Sequence, residues 1–262
     1  MNVLVSDDFT GWAVNWNDST YHIPSHGDHV SVIINGGRLP DSRQKFVGIA
    51  PLADVTQKQY GRNTDLDGNL IDYSEFDIIN LSNSGGQRTV TQAGLDDARA
   101  YRLTRPIHSI EKTLYVKSHG NILHDCTIGT TCTASSLNII ADANRAAQTL
   151  LVGRIDNHNQ VVSAKAGVAK DSYVVDYGAY NMHWRDSNGQ RQRSFVGTSA
   201  SVPTVVGKAA IIKSKFPNMN GAQLASIIKN TADDLGAPGV DDVYGHGRVN
   251  LSRALSPIGT LR

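Results

Sequence analysis

The amino-acid sequence predicts an α/β fold built on a mostly parallel central sheet. Short apolar runs, which are typical of buried strands, alternate with longer segments whose apolar residues recur at helical spacing. Strands are predicted at residues 3–5, 53–55, 77–82, 113–118, 137–141 and 149–155. Because functional sites of such sheets gather where the strands end, the polar residues that follow the strands are the first candidates for chemistry.

Helices are predicted where apolar spacing coincides with signals for a helix end. They lie between His26 and Gly36, over residues 91–103, and from Asn220 to Thr231. The last of these opens with a pattern that resembles a capping box, in which the first and fourth residues satisfy each other's backbone amides.

Composition narrows the classes of function. The chain has 262 residues and a formal net charge of +1 at pH 7, and no basic block marks a nucleic-acid surface. No apolar run approaches the roughly 18 residues that a membrane helix needs. We therefore expect a single domain over residues 1–262 that binds neither nucleic acid nor membrane, and the sequence leaves its oligomeric state open.

The start of the sequence and its two cysteines bear on the cellular compartment. The first residues lack a basic stretch followed by a long apolar stretch, so no secretory signal is expected within them. Cys126 and Cys132 lie six residues apart and either close one small disulfide loop or remain free. Two thiols alone do not make a zinc site.

Ser199 is the strongest candidate nucleophile. It stands in a short turn that runs into a long helical pattern, and the apolar face of that pattern comprises Val202, Val205, Val206, Ala209 and Ala210. The unpaired amides and the positive dipole end at a helix start favour an oxygen that becomes anionic. The plain alternative is that Thr198 or Ser199 simply caps the helix.

Three further residues could serve Ser199. His26, at a predicted helix start, carries an imidazole suited to accept the serine proton. Asp7, which follows the first strand, could orient that imidazole, and the amide of Asn121 could bind a developing oxyanion. Each of the three also has an ordinary explanation as a cap or turn residue, so only their joint occurrence points to chemistry.

The motifs around these residues resemble those of the subtilisin-like serine proteases, the subtilases. Residues 26–30 read His-Gly-Asp-His-Val where the family has His-Gly-Thr-His-Val, and residues 197–203 read Gly-Thr-Ser-Ala-Ser-Val-Pro where it has Gly-Thr-Ser-Met-Ala-x-Pro. Residues 80–84 are similar to its Asn-Met-Ser-Leu-Gly, residues 119–121 to its Ala-Gly-Asn, and residues 244–250 to its closing Tyr-Gly-x-Gly-x-Val-Asn. The order Asp, His, Ser also matches, and the resemblance covers nearly the whole chain.

The resemblance implies a three-layer fold, with helices on both faces of the sheet, and a serine endopeptidase that requires no cofactor. It assigns Ser199 as nucleophile, His26 as general base, Asp7 as the residue that orients the imidazole, and Asn121 to the oxyanion hole.

The resemblance also implies how substrate is held. A protein or peptide substrate would pair in extended form with the backbone of Ser82, Asn83 and Ser84. The alternative is a catalytically silent subtilase fold that works by binding a partner.

Several positions depart from the family pattern. The aspartate motif is usually Asp-Ser-Gly or Asp-Thr-Gly, whereas residues 7–9 read Asp-Asp-Phe, which makes Asp8 the second candidate for the orienting role. Asp28 replaces the threonine beside His26. Family members are usually secreted and fold with a prodomain, and the sequence shows neither a signal nor a prodomain, so folding is expected to be autonomous or assisted by something outside it.

Two patterns resemble metal sites. His22, His26 and His29 cluster in sequence, but a metalloprotease would need a glutamate base in a His-Glu-x-x-His frame, which the sequence lacks. Residues 63–69 resemble the front of a calcium loop, yet the twelfth position is Ser74 instead of glutamate. We therefore favour a polar turn there, expect no required metal, and leave structural calcium open.

Overall fold

A computed structural model describes residues 1–10, 12–16, 19–40, 42–60, 62, 65–104, 111–186 and 190–256. The strands are β1 (Asn2–Asp7), β2 (Trp12–Trp16), β3 (Ser19–Ile23), β4 (Gly37–Arg38), β5 (Lys45–Phe46), β6 (Asp54–Gln59), β7 (Ile78–Leu81), β8 (Gln87–Thr89), β9 (Leu114–Ser118), β10 (Thr131–Thr133), β11 (Thr149–Ile155), β12 (Tyr173–Tyr177), β13 (Ala179–Arg185) and β14 (Arg191–Val196). The helices are α1 (His26–Asn35), α2 (Gln92–Thr104), α3 (Ala134–Ile140), α4 (Ala143–Ala147), α5 (Thr198–Lys215), α6 (Gly221–Asn230) and α7 (Leu251–Leu255). Short 3₁₀ helices cover Tyr73–Glu75 and Gly167–Ser172.

The centre of the fold is a six-stranded sheet in the order β12-β11-β9-β7-β1-β6, and every pair in it is parallel. Helices α1, α5 and α6 pack on one face, where their apolar residues share a core with alternate residues of the strands. Helix α3 and the second 3₁₀ helix pack on the opposite face. The predicted α/β class with helices on both faces is confirmed.

Helix α5 forms the middle of the larger core. Val202, Val205, Val206 and Ala209 are fully buried, as their helical spacing predicts. A fully buried valine side chain stabilises a fold by about 1.5–3 kcal/mol relative to an exposed one, so this face ties α5 firmly to the sheet. The N-terminus of α5 consequently stays next to the carboxyl edge of the strands.

Several predicted helix ends are confirmed. Gly36 ends α1 with a φ of 83°, a value that a residue with a Cβ rarely adopts. Helix α2 coincides with the predicted segment to within one residue at each end. At α6 the capping box is present, since the Asn220 side chain accepts from the Gln223 amide and the Gln223 side chain accepts from the Asn220 amide.

The strand predicted at residues 137–141 is wrong, because this segment forms the end of α3. A short apolar run cannot be distinguished from a buried helical turn by periodicity alone. Ser136, Leu137 and Ile139 are buried, so α3 places one apolar side against the core instead of adding a strand to the sheet.

Three other features lie outside what the sequence predicted. Strand β12 joins the edge of the central sheet, and β13 and β14 form an antiparallel hairpin that leads into α5. Cys126 and Cys132, whose state the sequence left open, are joined in a disulfide.

Within the described residues, no helix is both long and apolar enough to cross a membrane.

Candidate active site

Asp7 and His26 meet where β1 ends and α1 begins. The Nδ1 atom of His26 lies 2.6 Å from Oδ1 of Asp7, whose side chain is only 2% exposed. The same carboxylate oxygen accepts the backbone N–H of Asp8 at 2.7 Å. Because a carboxylate can only accept here, Nδ1 carries the proton, and the lone pair of His26 is left on Nε2.

The neighbouring backbone holds this pair in place. The N–H of Gly27 donates to the carbonyl of Asp8 at 2.8 Å, which joins the first turn of α1 to the end of β1. Asp8, the second candidate for the orienting role, points elsewhere, because its Oδ1 accepts from both the amide and the hydroxyl of Thr10. Those hydrogen bonds lower the pKa of Asp8. The geometry therefore favours Asp7.

Asp28 does not act on His26 directly. Its Oδ2 accepts the backbone N–H of Ser25 at 2.7 Å and the hydroxyl of Ser25 at 2.8 Å, which completes a capping box at the start of α1. The carboxylate in place of the family threonine thus serves to begin the helix that carries His26.

Ser199 is the second residue of α5, and its hydroxyl donates to the backbone carbonyl of Ser82 at 3.0 Å. The cap residue of α5 is Gly197, and no side chain caps the helix. The alternative in which Thr198 or Ser199 caps the helix is therefore wrong. Both hydroxyls instead reach across to the ends of the neighbouring strands.

Asn121 lies beside the start of α5. Its Oδ1 accepts the backbone N–H of Thr198 at 2.7 Å and the hydroxyl of Thr198 at 2.8 Å, and that hydroxyl in turn lies 2.7 Å from Oγ of Ser118. Since a backbone N–H can only donate, the atom that faces it must be the amide oxygen. The NH₂ group of Asn121 is thus turned away from Thr198 and makes no hydrogen bond with the described residues.

Gly197 makes this approach sterically feasible. Its φ of 140° lies in the region that favours glycine, and a Cβ there would stand 3.0 Å from Oδ1 of Asn121. A side chain at position 197 would therefore strain the backbone and shift the Asn121 amide by a few tenths of an ångström.

The profile of the subtilase family matches residues 5–247. The chain belongs to the subtilase family. An extracellular serine protease of Serratia marcescens is 47% identical over 60 residues, which are 23% of this chain and 6% of that protein. A calcium-dependent protease of Nostoc sp. is 32% identical over 107 residues, 38% of this chain and 16% of that protein. The matched parts are thus a small fraction of these relatives.

Solved structures share the fold of this subtilase. The structure of the prenylagaramide maturation protease PagA superimposes with a TM-score of 0.59, at 20% identity, over 99% of this chain and 94% of that one. At this identity the likeness shows the fold alone, and it agrees with the three-layer arrangement found here.

The segment after β7, residues 82–84, is the one whose backbone the sequence predicts to pair with substrate. Ser82 is buried, its carbonyl accepts from Ser199, and its hydroxyl bonds the side chain of Asn80. Within the described residues, the backbone N–H groups of Asn83 and Ser84 donate to no acceptor. A peptide in extended form could therefore take up these unused groups.

A buried lysine supports this segment of the subtilase, and the sequence did not point to it. Lys117 lies opposite Leu81 in the sheet, and its ammonium donates to the carbonyl of Asn83 at 2.7 Å. Burial, together with the charge of Arg145, lowers the pKa of Lys117 to about 8. Only the position of Lys117 at a strand end could have singled it out.

The patterns that resemble metal sites have other partners in the structure. Nδ1 of His29 lies 2.8 Å from the carbonyl of Ser25, and the ring stacks against Phe195 at 4.9 Å. The side chain of His22 lies outside the described residues. In the loop that resembles a calcium site, the Asp65 carboxylate accepts from the amide and the side chain of Asn69, whereas Asn63 lies outside the described residues.

His119 lies near the sulfur atoms of Cys126 and Cys132, an arrangement that in other proteins could hold a metal. Here the two sulfurs are bonded to each other, and the ring nitrogens of His119 face Oγ of Ser136 and the carbonyl of Lys165. Burial lowers the pKa of His119 to about 3, so its ring is neutral. His119 is thus a fully buried residue whose ring is held by these two hydrogen bonds.

The charge of Lys117 leads to a prediction on stability. Between pH 8 and the ordinary lysine pKa near 10.5, the folded protein has lost a proton that the unfolded chain still binds, so the free energy of unfolding gains a contribution that rises with pH. Between pH 8 and 10.5, the free energy of unfolding of the parent protein should therefore rise by about 2–3 kcal/mol relative to that of Lys117→Met. Urea unfolding of both proteins at each pH measures this difference.

Lys112→Met is the matched control, because it removes an exposed lysine just before the same strand. If the free energy of unfolding changes with pH in the same way in the parent protein and in Lys117→Met, the ammonium of Lys117 is not buried as described.

Proposed function

We propose that this subtilase is a serine endopeptidase that cleaves protein or peptide substrates through an acyl-enzyme on Ser199. The observation that carries the proposal is the 2.6 Å contact between His26 and the buried carboxylate of Asp7, at the edge of the sheet where α5 presents Ser199. A buried carboxylate on Nδ1 fixes the tautomer in which Nε2 can accept the serine proton.

Each step then uses a group already described. Ser199 Oγ attacks the substrate carbonyl carbon while its proton passes to His26 Nε2, and the carbonyl oxygen becomes an oxyanion. The NH₂ group of Asn121 and the backbone N–H of Ser199 donate to that oxyanion. His26 then gives the proton to the leaving amine, the peptide bond breaks, and water repeats the sequence to release the acid.

The hydrogen bond between Ser199 and Ser82 belongs to the protein without substrate. A backbone N–H of the substrate that donates to the Ser82 carbonyl would displace the Ser199 hydroxyl, which can then rotate about its χ1 angle towards His26. Substrate pairing and activation of the nucleophile are coupled in this scheme. Catalysis therefore needs a peptide long enough to pair with the segment after β7.

No described residue favours the silent alternative, in which the fold only binds a partner. The positions proposed for nucleophile, base, orienting carboxylate and oxyanion donor all hold residues able to perform those steps.

The first test is hydrolysis of a protein substrate by Ser199→Ala. Loss of the nucleophile should lower kcat by several orders of magnitude, because the other described hydroxyls near the site, those of Ser82 and Thr198, are bonded to Asn80 and Asn121. The fold should persist, since the variant loses one hydrogen bond to a described residue, that to Ser82, which contributes about 1 kcal/mol. Circular dichroism of the variant checks the fold, and undiminished hydrolysis would refute the assignment.

A chelator separates this mechanism from a metal-dependent hydrolase. None of the proposed steps needs an ion, so kcat/KM should stay within about twofold in excess chelator. A relative in Nostoc sp. is called a calcium-dependent protease, so the melting temperature is measured in parallel with and without calcium. Activity that vanishes while the fold is retained would contradict the serine mechanism.

The third test concerns the orientation of Asn121. Asn121→Ala should lower kcat by about 10²–10³ with little change in KM, the scale known for the corresponding asparagine of subtilisin, a family member. Thr198→Val removes one of the two donors that orient the amide, so a smaller loss in kcat is expected, whereas Thr198→Ser keeps that hydroxyl and should behave like the parent. Equal kcat values for Asn121→Ala and the parent protein would show that Asn121 is an ordinary turn residue and does not stabilise the oxyanion.

A further inference from the structure

A cavity of about 850 Å³ lies between the β13–β14 hairpin, the loop that joins β4 to β5, and the end of β3. Its basic lining residues are Arg43, Arg185, Arg191, Arg193 and His183. Neither aspartate nor glutamate occurs among the described residues that line it. The chain as a whole carries a net charge of only +1, so positive charge is concentrated at this place.

Three of these arginines are not neutralised by the described part of the protein. Arg43, Arg191 and Arg193 are exposed and form no ion pair with any described residue. The hairpin also contains a carboxylate, Asp186, which accepts the amide of Gln190 and the side chain of Gln192 and does not line the cavity. Guanidinium groups with unused donors favour carboxylate or phosphate ligands, which they can bind through two parallel hydrogen bonds.

The walls of the cavity are tied together. Gln44 bridges the loop to the hairpin, since its amide nitrogen donates to the carbonyl of Asn181 at 3.3 Å and its amide oxygen accepts the N–H of His183 at 3.4 Å. Trp184 and Phe195 of the hairpin pack on the ring of His29 in α1, with centroid distances of 4.4 and 4.9 Å. The arginines are thus presented by a scaffold fixed to the helix that carries the proposed base.

The cavity adjoins the leaving-group side of the proposed active site. Arg193 precedes Ser199 by six residues, which span at most about 20 Å, and the lining residue Ile23 precedes His26 by three. Phe195 packs on the ring of His26 at 5.3 Å. Because His26 delivers the proton to the leaving amine, the peptide on that side of the scissile bond passes His26 and Phe195.

We propose that this arginine-lined cavity binds acidic side chains of the substrate on the C-terminal side of the scissile bond. The proposal rests on the proposed function for its direction along the substrate. An extended peptide advances about 3.3 Å per residue, so the residues from the second to the fifth after the scissile bond can reach the cavity. Among peptides that pair equally well with the backbone of residues 82–84, the cavity thereby favours those with acidic side chains at these later positions.

The test compares three peptides that are cleaved at one common bond. The parent sequence is chosen from a casein digest as a peptide in which mass spectrometry finds one cleaved bond, and positions two to five after that bond are made all Glu, all Gln or all Lys. The Glu peptide should exceed the Gln peptide about five- to tenfold in kcat/KM at low salt, and the Lys peptide should fall below both. The gain should lie in KM, because the contact is the same in ground and transition states.

The variant Arg191→Gln/Arg193→Gln decides whether the cavity is responsible. It should reduce the preference for Glu over Gln to within about twofold, with most of the loss in kcat/KM on the Glu peptide. Lys112→Gln/Lys215→Gln removes the same charge from exposed positions at the opposite edge of the sheet and at the far end of α5, and it should keep the preference. A preference that survives in the arginine variant, or an equal loss for all three peptides, would overturn the proposal.

A binding measurement keeps the test independent of catalysis. Fluorescence anisotropy on Ser199→Ala, with labelled peptides that correspond to the leaving product, should give the Glu form about five- to tenfold tighter binding than the Gln form. That difference should vanish in 1 M NaCl, where the Debye length is about 3 Å. A single-stranded oligonucleotide that binds more tightly than the Glu peptide, through the same arginines, would make this a nucleic-acid site and overturn the proposal. If no peptide is hydrolysed but this difference is present, the proposed function fails and the anion site stands.

Discussion

The burial of α5 against the parallel sheet is the constraint from which the geometry of the site follows. The apolar face of α5, which includes Val202, Val205 and Val206, is fully buried, so the helix can neither slide nor turn without opening the core. Its first residues are therefore held where β7 and β9 end. Ser199 reaches the end of β7, and Thr198 reaches the residues that follow β9.

Hydrogen bonds then fix the side chains at the start of α5, which apolar packing has brought next to the strand ends. Ser118, Thr198 and Asn121 form a chain of hydrogen bonds in which the NH₂ group of Asn121 has no partner among the described residues, and the ammonium of Lys117 donates to the carbonyl of Asn83. Lys117, Ser118 and Thr198 are buried, where an unsatisfied polar atom costs about 1–3 kcal/mol. Each contact therefore restricts the position of its partner, and the same network that stabilises the strand ends orients the groups proposed for catalysis.

Much of the fold and of the candidate site could be predicted from local sequence. The apolar spacing of α5 and the capping box of α6 depend on residues three or four positions apart, and both are confirmed. The motifs around Asp7, His26 and Ser199 identified the family because they are short and contiguous.

Features that depend on contacts distant in sequence could not be predicted. Residues 137–141 form a helix because a partly apolar segment docks on the core, and periodicity over five residues cannot decide between strand and helix. The role of Lys117 needs the pairing of β7 with β9, and the arginine-lined cavity needs a hairpin and a loop about 140 residues apart. The bond from Ser199 to Ser82 joins residues 117 positions apart.

The central claim is that Asp7 and His26 activate Ser199, and covalent labelling tests it most directly. A fluorophosphonate reacts with a serine hydroxyl only when a base removes its proton, so peptide mapping by mass spectrometry should find the adduct on Ser199 alone. The rate of labelling should fall by orders of magnitude in His26→Ala and Asp7→Asn, while both variants keep the circular dichroism spectrum of the parent protein. A folded parent protein that is not labelled, or an adduct that forms at the same rate without His26, would contradict the account.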